Sequence, residues 1–476
     1  MPGIRGGRSG TADRRPCPPS AHRPIRLGNG PHPDLGGGGR CHGGQYPVDC
    51  RRSGPLRGCC TMIDRKILHN ISYLGLTNVA NLIIPLVVLP FITRVLGPTQ
   101  FGQYAWAVSA GTLLGLVCDF GFNWSAAREV AIHKEDRRRT AAIVAEAYAV
   151  RALLFTLTGL VIFTIWTQLP HEGGVGAVLS FVPLIAFCNL LTPPWLFQGL
   201  EQFRIVVFSS MFGRLIGVIG IFALVRGPAD AGLAIMLTAA GAVLPGLVTF
   251  RFLARHYGDV LHLPTRAAVG ARLQSAWRIF TADLVIQVYT MAQTFLVGLL
   301  GGPVAAAQYN IGDRCLNAGK GFLAAITQAA MPRVANLAVT DPTAGMRLIR
   351  KVMLMVGCVG LAGGLVMGFA ADLLVMVAFG PDFMESARVL RILAPVPILV
   401  GVGSCFSSLY MFNYGEGKLW SVMLKVAAAI NFGTMLGLHL LGVDMHIAAP
   451  IAVVAAESFV FCLAGYRFLL AVRLGK

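Results

Sequence analysis

Phe91-Ile-Thr-Arg-Val-Leu96-Gly97-Pro98, with Gln103-Tyr104 behind it, returns later in the chain as Phe295-Leu-Val-Gly-Leu-Leu300-Gly301-Gly302-Pro303, followed by Gln308-Tyr309. The interval from Phe to Leu is five residues in both copies, and one residue is inserted before the second Gln-Tyr. Each copy closes a long apolar run with Gly and Pro. That pair stops a helix, because Pro lacks an amide proton and Gly accepts backbone angles other residues avoid.

A membrane-spanning helix needs about 20 mostly apolar residues. From residue 71 the chain offers twelve such segments: 71–93, 103–121, 144–167, 174–195, 204–225, 230–252, 279–301, 304–330, 352–371, 388–412, 419–441 and 446–470. Spanning strands would be shorter and would alternate strictly, so helices are the expectation. The two copies end the first and seventh segments, so the repeat divides the spans evenly. Six is even, so both halves share one orientation, related by an axis along the membrane normal. Transporters that rock two bundles about a central site use this arrangement. The expected fold is an all-α polytopic membrane protein with about twelve transmembrane helices. They would form two pseudo-symmetric six-helix bundles, residues 62–252 and 279–476, around a central cavity, joined by a cytoplasmic linker over 253–278.

Composition agrees. Of 476 residues, 55% are hydrophobic and 13% charged, and the mean hydropathy is +0.66. A soluble domain carries about 25% charged residues, so this chain cannot cover a water-facing surface. The net charge of +18 does not point to nucleic acid, because the basic residues sit in short clusters between apolar runs with no interleaved aromatics. Assigned to alternate sides of the spans, Lys and Arg divide 21 to 4. Basic residues are retained in the cytoplasm, which puts both termini there and predicts a multi-pass protein of the bacterial inner membrane. The eleven cysteines form no CxxC pair and no zinc spacing, so no metal or cofactor is expected. Gly319-Lys320 and Gly417-Lys418 lack the upstream glycine of a phosphate loop, so transport would not draw on ATP bound here.

Residues 1–61 differ from the rest. They hold 14 Gly, 9 Pro and ten Arg but no Lys, Glu or Phe, and such a composition cannot bury a core. The bias reads as translated upstream DNA, with Met62 as the expected start; the alternative is a basic arm touching anionic lipid.

Ionisable groups inside spans cost at least about 2.5–3.5 kcal/mol when they face lipid, so they face a cavity or a partner. The seventh segment sets Asp283, Gln287, Thr290 and Thr294 on one helical face, with Gln293 beside it. The eighth carries Asp313, Asn317 and Lys320, with Arg314 adjacent. Asp313 has a simpler reading as the neutraliser of Lys320 or Arg314. Asn78 and Asn81 precede Pro85 and Pro90 in the first segment. Arg151 in the third and Arg214 in the fifth have no acid three or four residues away, so both are read as lining a cavity. Glu146 and Lys425 lie near an interface and read as snorkelling. Buried cations imply an anionic ligand, and the planar fork of Arg suits phosphate.

Four stretches carry a resemblance. They are Ile92-Thr-Arg94-Val-Leu-Gly97-Pro98 with Phe101-Gly-Gln-Tyr104; Gly121 through Ala127-Arg128-Glu129-Val-Ala131 and on to Arg151; Pro194-Trp-Leu-Phe-Gln-Gly-Leu-Glu201 running into Arg214; and Phe379-Gly-Pro-Asp-Phe383 with Ala387 and Leu390, followed by Asn431. Over about residues 63–470 the chain resembles the polysaccharide (O-antigen type) flippases of the multidrug/oligosaccharidyl-lipid/polysaccharide exporter superfamily. The resemblance implies that an undecaprenyl-pyrophosphate-linked oligosaccharide passes from the cytoplasmic to the periplasmic leaflet by alternating access. Membrane lipid would surround the chain, with a polysaccharide polymerase and a chain-length regulator as partners. Arg94 and Arg128, inside the matched stretches, join Arg151, Arg214, Arg314 and Lys320 as candidate substrate cations. Asn78, Asn81, Asp283, Gln287, Gln293, Asp313 and Asn317 are the candidates for polar lining and ion coupling. One position departs: family members often carry Asp before the Gly-rich turn of the seventh span, where this chain has Gln293. The alternatives are a drug/cation antiporter, which would favour acidic cavity residues, and a peptidoglycan-precursor flippase. A membrane polymerase or ligase would need a large external loop, and the longest, about 372–387, is too short.

Overall fold

The computed structural model describes residues 65–169, 174–260, 262–415 and 417–473, and among them there is no strand. The expectations for the 1–61 tail and for a start at Met62 lie outside the described residues.

The repeated Gly-Pro stretches form the same corner. Helix Arg65–Asp119 is broken at Gly97 (φ 70°, ψ 173°) and helix Gln293–Thr340 at Gly302 (φ 81°, ψ 179°). A positive φ with extended ψ is open to Gly and strained for residues with a Cβ, and the Pro that follows has a φ already suited to the first turn of the next helix. The sequence repeat is thus a structural one. A third corner of this kind stands at Gly380 (φ 99°, ψ 175°), ahead of Pro381.

Ten stretches among the described residues are long and apolar enough to cross a membrane, and two of them, 83–119 and 293–340, contain a corner. Counted across the corners, the described residues make twelve helical stretches, taken here as crossings. The first two are 65–96 and 98–119, the third is Arg137–Thr167, and the fourth is 174–199 with a break at Thr192-Pro193. The fifth is Phe203–Leu224 and the sixth 228–257. The seventh is 266–301, the eighth 303–340 and the ninth Pro342–Phe369. The tenth is 385–411, ending in a π-helical turn, and the last two are Gly417–Leu440 and Met445–Arg473. At the head of the ninth, the Thr343 hydroxyl and the Ala344 amide both donate to Asp341 and hold its carboxyl below the usual carboxylate range.

The linker over 253–278 is mostly helix: Val243–Tyr257 ends inside it and Arg266–Met291 begins inside it, with Thr265 accepting from the Ala268 amide as N-cap. The charges at 266, 272 and 278 disguised this segment, since only part of its surface is apolar. Its first half packs into the first bundle. Ala276 and Phe280 belong to the core built from Phe122, Ala126, Val144, Trp195 and Phe197. Phe280 stacks on Phe120 with centroids 4.3 Å apart. Arg272, nearly fully buried, donates to Glu146 Oε2 at 2.6 Å and Glu129 Oε1 at 2.7 Å. Glu146 is therefore an ion-pair partner, not a snorkelling residue. Further along, the seventh crossing is interrupted at Ala292, so the expected single face from Asp283 to Thr294 is split between two helical pieces.

A core of the second half runs from Leu323 to Ala471. The largest cluster draws on both halves, from Val88 and Phe101 to Phe383 and Val453, and forms the seam between them.

Candidate functional site

At that seam lies a cavity of about 410 Å³. Its apolar lining is Ile84, Pro85, Val88, Leu89 and Ile92 of the first crossing, with Val218 and Ile221 of the fifth. Its polar lining is Arg214 from the fifth crossing, Arg314 and Asn310 from the eighth, Tyr104 from the second and Thr238 from the sixth. No lining residue is acidic, and neither arginine makes an ion pair among the described residues. Both are exposed to the space.

Backbone packing aims Arg214. A Cβ added at the preceding Gly213 would stand 2.1 Å from the Gly241 carbonyl oxygen. The fifth and sixth crossings therefore touch backbone to backbone, and the adjacent guanidinium turns into the gap. Across it the Tyr104 and Thr238 hydroxyls share a hydrogen bond of 3.1 Å. Asn310 Nδ2 donates to Thr294 Oγ1 at 3.3 Å, which ties the cavity wall to the seventh crossing.

The other candidate cations lie elsewhere. Arg151 is 3% exposed and faces Asp119 Oδ1 at 3.5 Å, with the Tyr148 ring 5.6 Å away. Its partner comes from the second crossing, which no local spacing reveals; the expectation that Arg151 lines the cavity is corrected. Two of its nitrogens, Nε and Nη1, have no hydrogen-bond partner among the described residues. Arg128 is exposed on helix Phe122–Ile132, opposite the buried face of Phe122, Ala126 and Val130, and does not line the cavity. Arg94 stands beyond the cavity and donates to the Val377 carbonyl. Lys320 is half-buried; the charges of Arg314 and, more weakly, Lys320 act on Asp313, which accepts from Asn317 Nδ2 at 2.9 Å. The eighth crossing thus turns Asn310 and Arg314 to the cavity, while Asp313, Asn317 and Lys320 are not among its lining.

Of the ion-coupling candidates, the side chains of Asn78, Asn81 and Asp283 lie outside the described residues. Gln287 is half-buried, and its carbonyl accepts from the Thr290 hydroxyl. Gln293 is buried and donates to Asn431 of the eleventh crossing, which leaves Gln293 Oε1 and Asn431 Nδ2 without a partner among the described residues. Close by, Tyr289 donates to Glu457 of the twelfth crossing at 3.2 Å. Sequence reasoning passed over Glu457, Asp119, Tyr104, Thr238 and Asn310. Tyr104 stood inside a quoted motif, and only its hydroxyl and its place beside the Gly97 corner marked it. No four-residue neighbour flagged the rest.

The sequence pattern of polysaccharide biosynthesis proteins matches residues 67–338, more than half of the chain. The chain belongs to this family. Within reach of it is a protein of Escherichia coli (strain K12) named "Putative O-antigen transporter", 26% identical over 400 residues, covering 82% of this chain and 94% of the relative. One of the same name from Shigella dysenteriae is 26% identical over 363 residues, covering 76% and 90%. Among solved structures, "Lipid II flippase MurJ, inward closed conformation" superposes with a TM-score of 0.62 at 12% identity, covering 86% of this chain and 92% of that one. A multidrug resistance MATE family transporter of the MOP superfamily gives 0.60 at 16%, covering 85% and 99%. At these identities the likeness is one of fold, that of multi-pass helical membrane proteins.

Proposed function

We propose that the chain is a flippase for a lipid-linked oligosaccharide. An undecaprenyl-pyrophosphate-linked sugar unit enters from the cytoplasmic leaflet, and alternating access delivers it to the periplasmic leaflet for polysaccharide synthesis. The supporting observation is the cavity at the seam, lined by Arg214 and Arg314 together with apolar side chains of the first and fifth crossings, with no carboxylate in the lining. Guanidinium groups in a low-dielectric space need a compensating anion. A diphosphate supplies it through charge-assisted hydrogen bonds, and the apolar lining suits the isoprenoid next to it. A drug/cation antiporter would need acids where these arginines stand.

The 21-to-4 division of basic residues supports an inner-membrane orientation with both ends cytoplasmic. The Gly97, Gly302 and Gly380 corners then lie on the periplasmic side. We take the halves as 62–252 and 279–476 with the segment between them cytoplasmic; its helix from Arg266 is held to the first half. A polysaccharide polymerase and a chain-length regulator are the expected partners. Candidate ion-coupling groups are Gln293 with Asn431 and Tyr289 with Glu457.

The test is reconstitution. Purified protein in liposomes should move a lipid-linked oligosaccharide with a fluorescent glycan to the opposite leaflet, and Arg214→Ala should not. Equal movement by empty liposomes, or movement of cationic drugs instead, would contradict the reading.

A further inference from the structure

Three Gly-Pro corners that are far apart in sequence meet at one end of the molecule. The segment after Gly97 packs on its own half, where Tyr104 meets Thr238, and also across the seam. A Cβ added at Gly102 would stand 1.9 Å from the Pro303 carbonyl oxygen and 2.4 Å from its carbon, so the first corner lies backbone to backbone on its repeat counterpart. A turn further on, Trp106 rests on Gly298, where an added Cβ would come within 2.5 Å of the indole. On the other side Phe101, fully buried, meets the edge of Phe383 with centroids 6.0 Å apart, and Arg94 donates to the Val377 carbonyl.

These contacts roof the cavity. Its walls include 84–92, which run up to Gly97, and Tyr104 and Val108, which run down from it. Asn310 and Arg314, on the helix leaving Pro303, complete that side. With a rise of about 1.5 Å per residue, Arg314 sits about 16 Å below Pro303. Phe101 stacks on Tyr104 at 6.0 Å, and Tyr104 lines the cavity and holds Thr238. The roof and the polar lining are therefore in contact. Apart from the Arg94 donation to the Val377 carbonyl, the seam at the roof is made of rings and backbone, with no ion pair across it among the described residues, so separating it breaks no salt bridge.

We propose that the Phe101-Gly102 segment, seated between the Pro303 and Phe383 corners, is the gate on the corner side of the cavity, and that the absence of a side chain at Gly102 is what permits closure. The proposal rests on the alternating-access reading and deepens it by naming the parts that part. A packed seam has two states, in contact or separated, and no graded intermediate.

The experiment uses the full chain with its native cysteines replaced and Val108→Cys as reporter in the cavity. A membrane-impermeant thiol reagent is added from the periplasmic face. With Gly102 in place, labelling is expected to be slow. Gly102→Leu should raise the rate by about tenfold or more, because the Cβ and the branch cannot share space with the Pro303 carbonyl. A second variant covers misfolding: in Phe101→Cys/Phe383→Cys, cross-linking should stop both periplasmic labelling and transport, and reduction should restore both. An unchanged labelling rate in a folded Gly102→Leu protein, or undiminished transport by the cross-linked pair, would overturn the proposal. Labelling does not depend on the cargo. If the gate behaves as described while no lipid-linked oligosaccharide moves, the functional reading fails and the gate stands.

Discussion

Arg151 and Arg214 look alike in the sequence: each is an arginine in an apolar segment with no acid within four residues. Their surroundings could hardly differ more. Arg151 is shut between the second, third and fourth crossings, with Asp119 as counter-charge, the Tyr148 ring nearby and the Asn189 carbonyl at 3.4 Å. Arg214 faces an open space with a second arginine and no acid in its lining. The first charge is answered within the fold; the second has no acid beside it in the cavity lining, and under the proposed function the cargo answers it. A membrane arginine is thus functional or structural according to what another helix brings to it.

That contrast sets the expected outcomes. The largest concerns the cavity. A charge-assisted hydrogen bond contributes about 1.5–3 kcal/mol, so Arg214→Ala or Arg314→Ala should lower transport by about 10- to 100-fold with the protein still inserted. Arg214→Lys should keep part of the activity, since a single ammonium reproduces the charge but not the fork. Transport assayed in reconstituted liposomes checks this.

Next comes Arg151→Ala, which removes the counter-charge of Asp119, leaves it the Asn123 amide as a neutral donor, and should cost about 3–5 kcal/mol of stability. A lowered midpoint of thermal unfolding in detergent would register it. Replacing both partners at once, Arg151→Met with Asp119→Leu, should recover most of that loss. Arg272→Ala should behave like Arg151→Ala, because Glu129 and Glu146 would lose their common partner.

Gly213→Ala is intermediate. The Gly241 carbonyl leaves no room for a methyl group, and forced overpacking costs about 1–3 kcal/mol. The fifth crossing must shift, carrying Arg214 with it, so transport should fall more than stability. The smallest effects belong to Arg128 and Arg137. Arg128 is exposed away from the cavity, and Arg137 pairs with Asp259 at 2.9 Å in an exposed contact. An exposed pair is worth about 0–1 kcal/mol, and both alanine variants should transport normally.

The parts of the fold visible in the sequence were those set by local rules. Apolar length gave the crossings, and the Gly-Pro repeat gave two corners that share one backbone conformation. The rest depended on partners distant in the chain. Asp119 lies 32 residues before Arg151 and answers it from another crossing. Helix Arg266–Met291 was hidden because Arg272, which reads as a loop charge, is buried against Glu129 and Glu146 of the first half. On the eighth crossing the polar residues Asp313, Asn317 and Lys320 formed the obvious row, yet Asn310 and Arg314 line the cavity. A row of polar residues defines a helical face, and only packing decides which face is turned inward. The break at Ala292, between Met291 and Gln293, has no proline or glycine to announce it.

The contrast between the two arginines reduces to one comparison: export per molecule of membrane-inserted protein for Arg214→Ala and Arg151→Ala in the same cells. Arg214→Ala should accumulate like the unaltered protein and export almost nothing per molecule. Arg151→Ala should accumulate poorly, while each surviving molecule exports at close to the normal rate. Normal export per molecule by Arg214→Ala, or full accumulation with abolished export by Arg151→Ala, would contradict the assignment of one arginine to the cargo and the other to the fold.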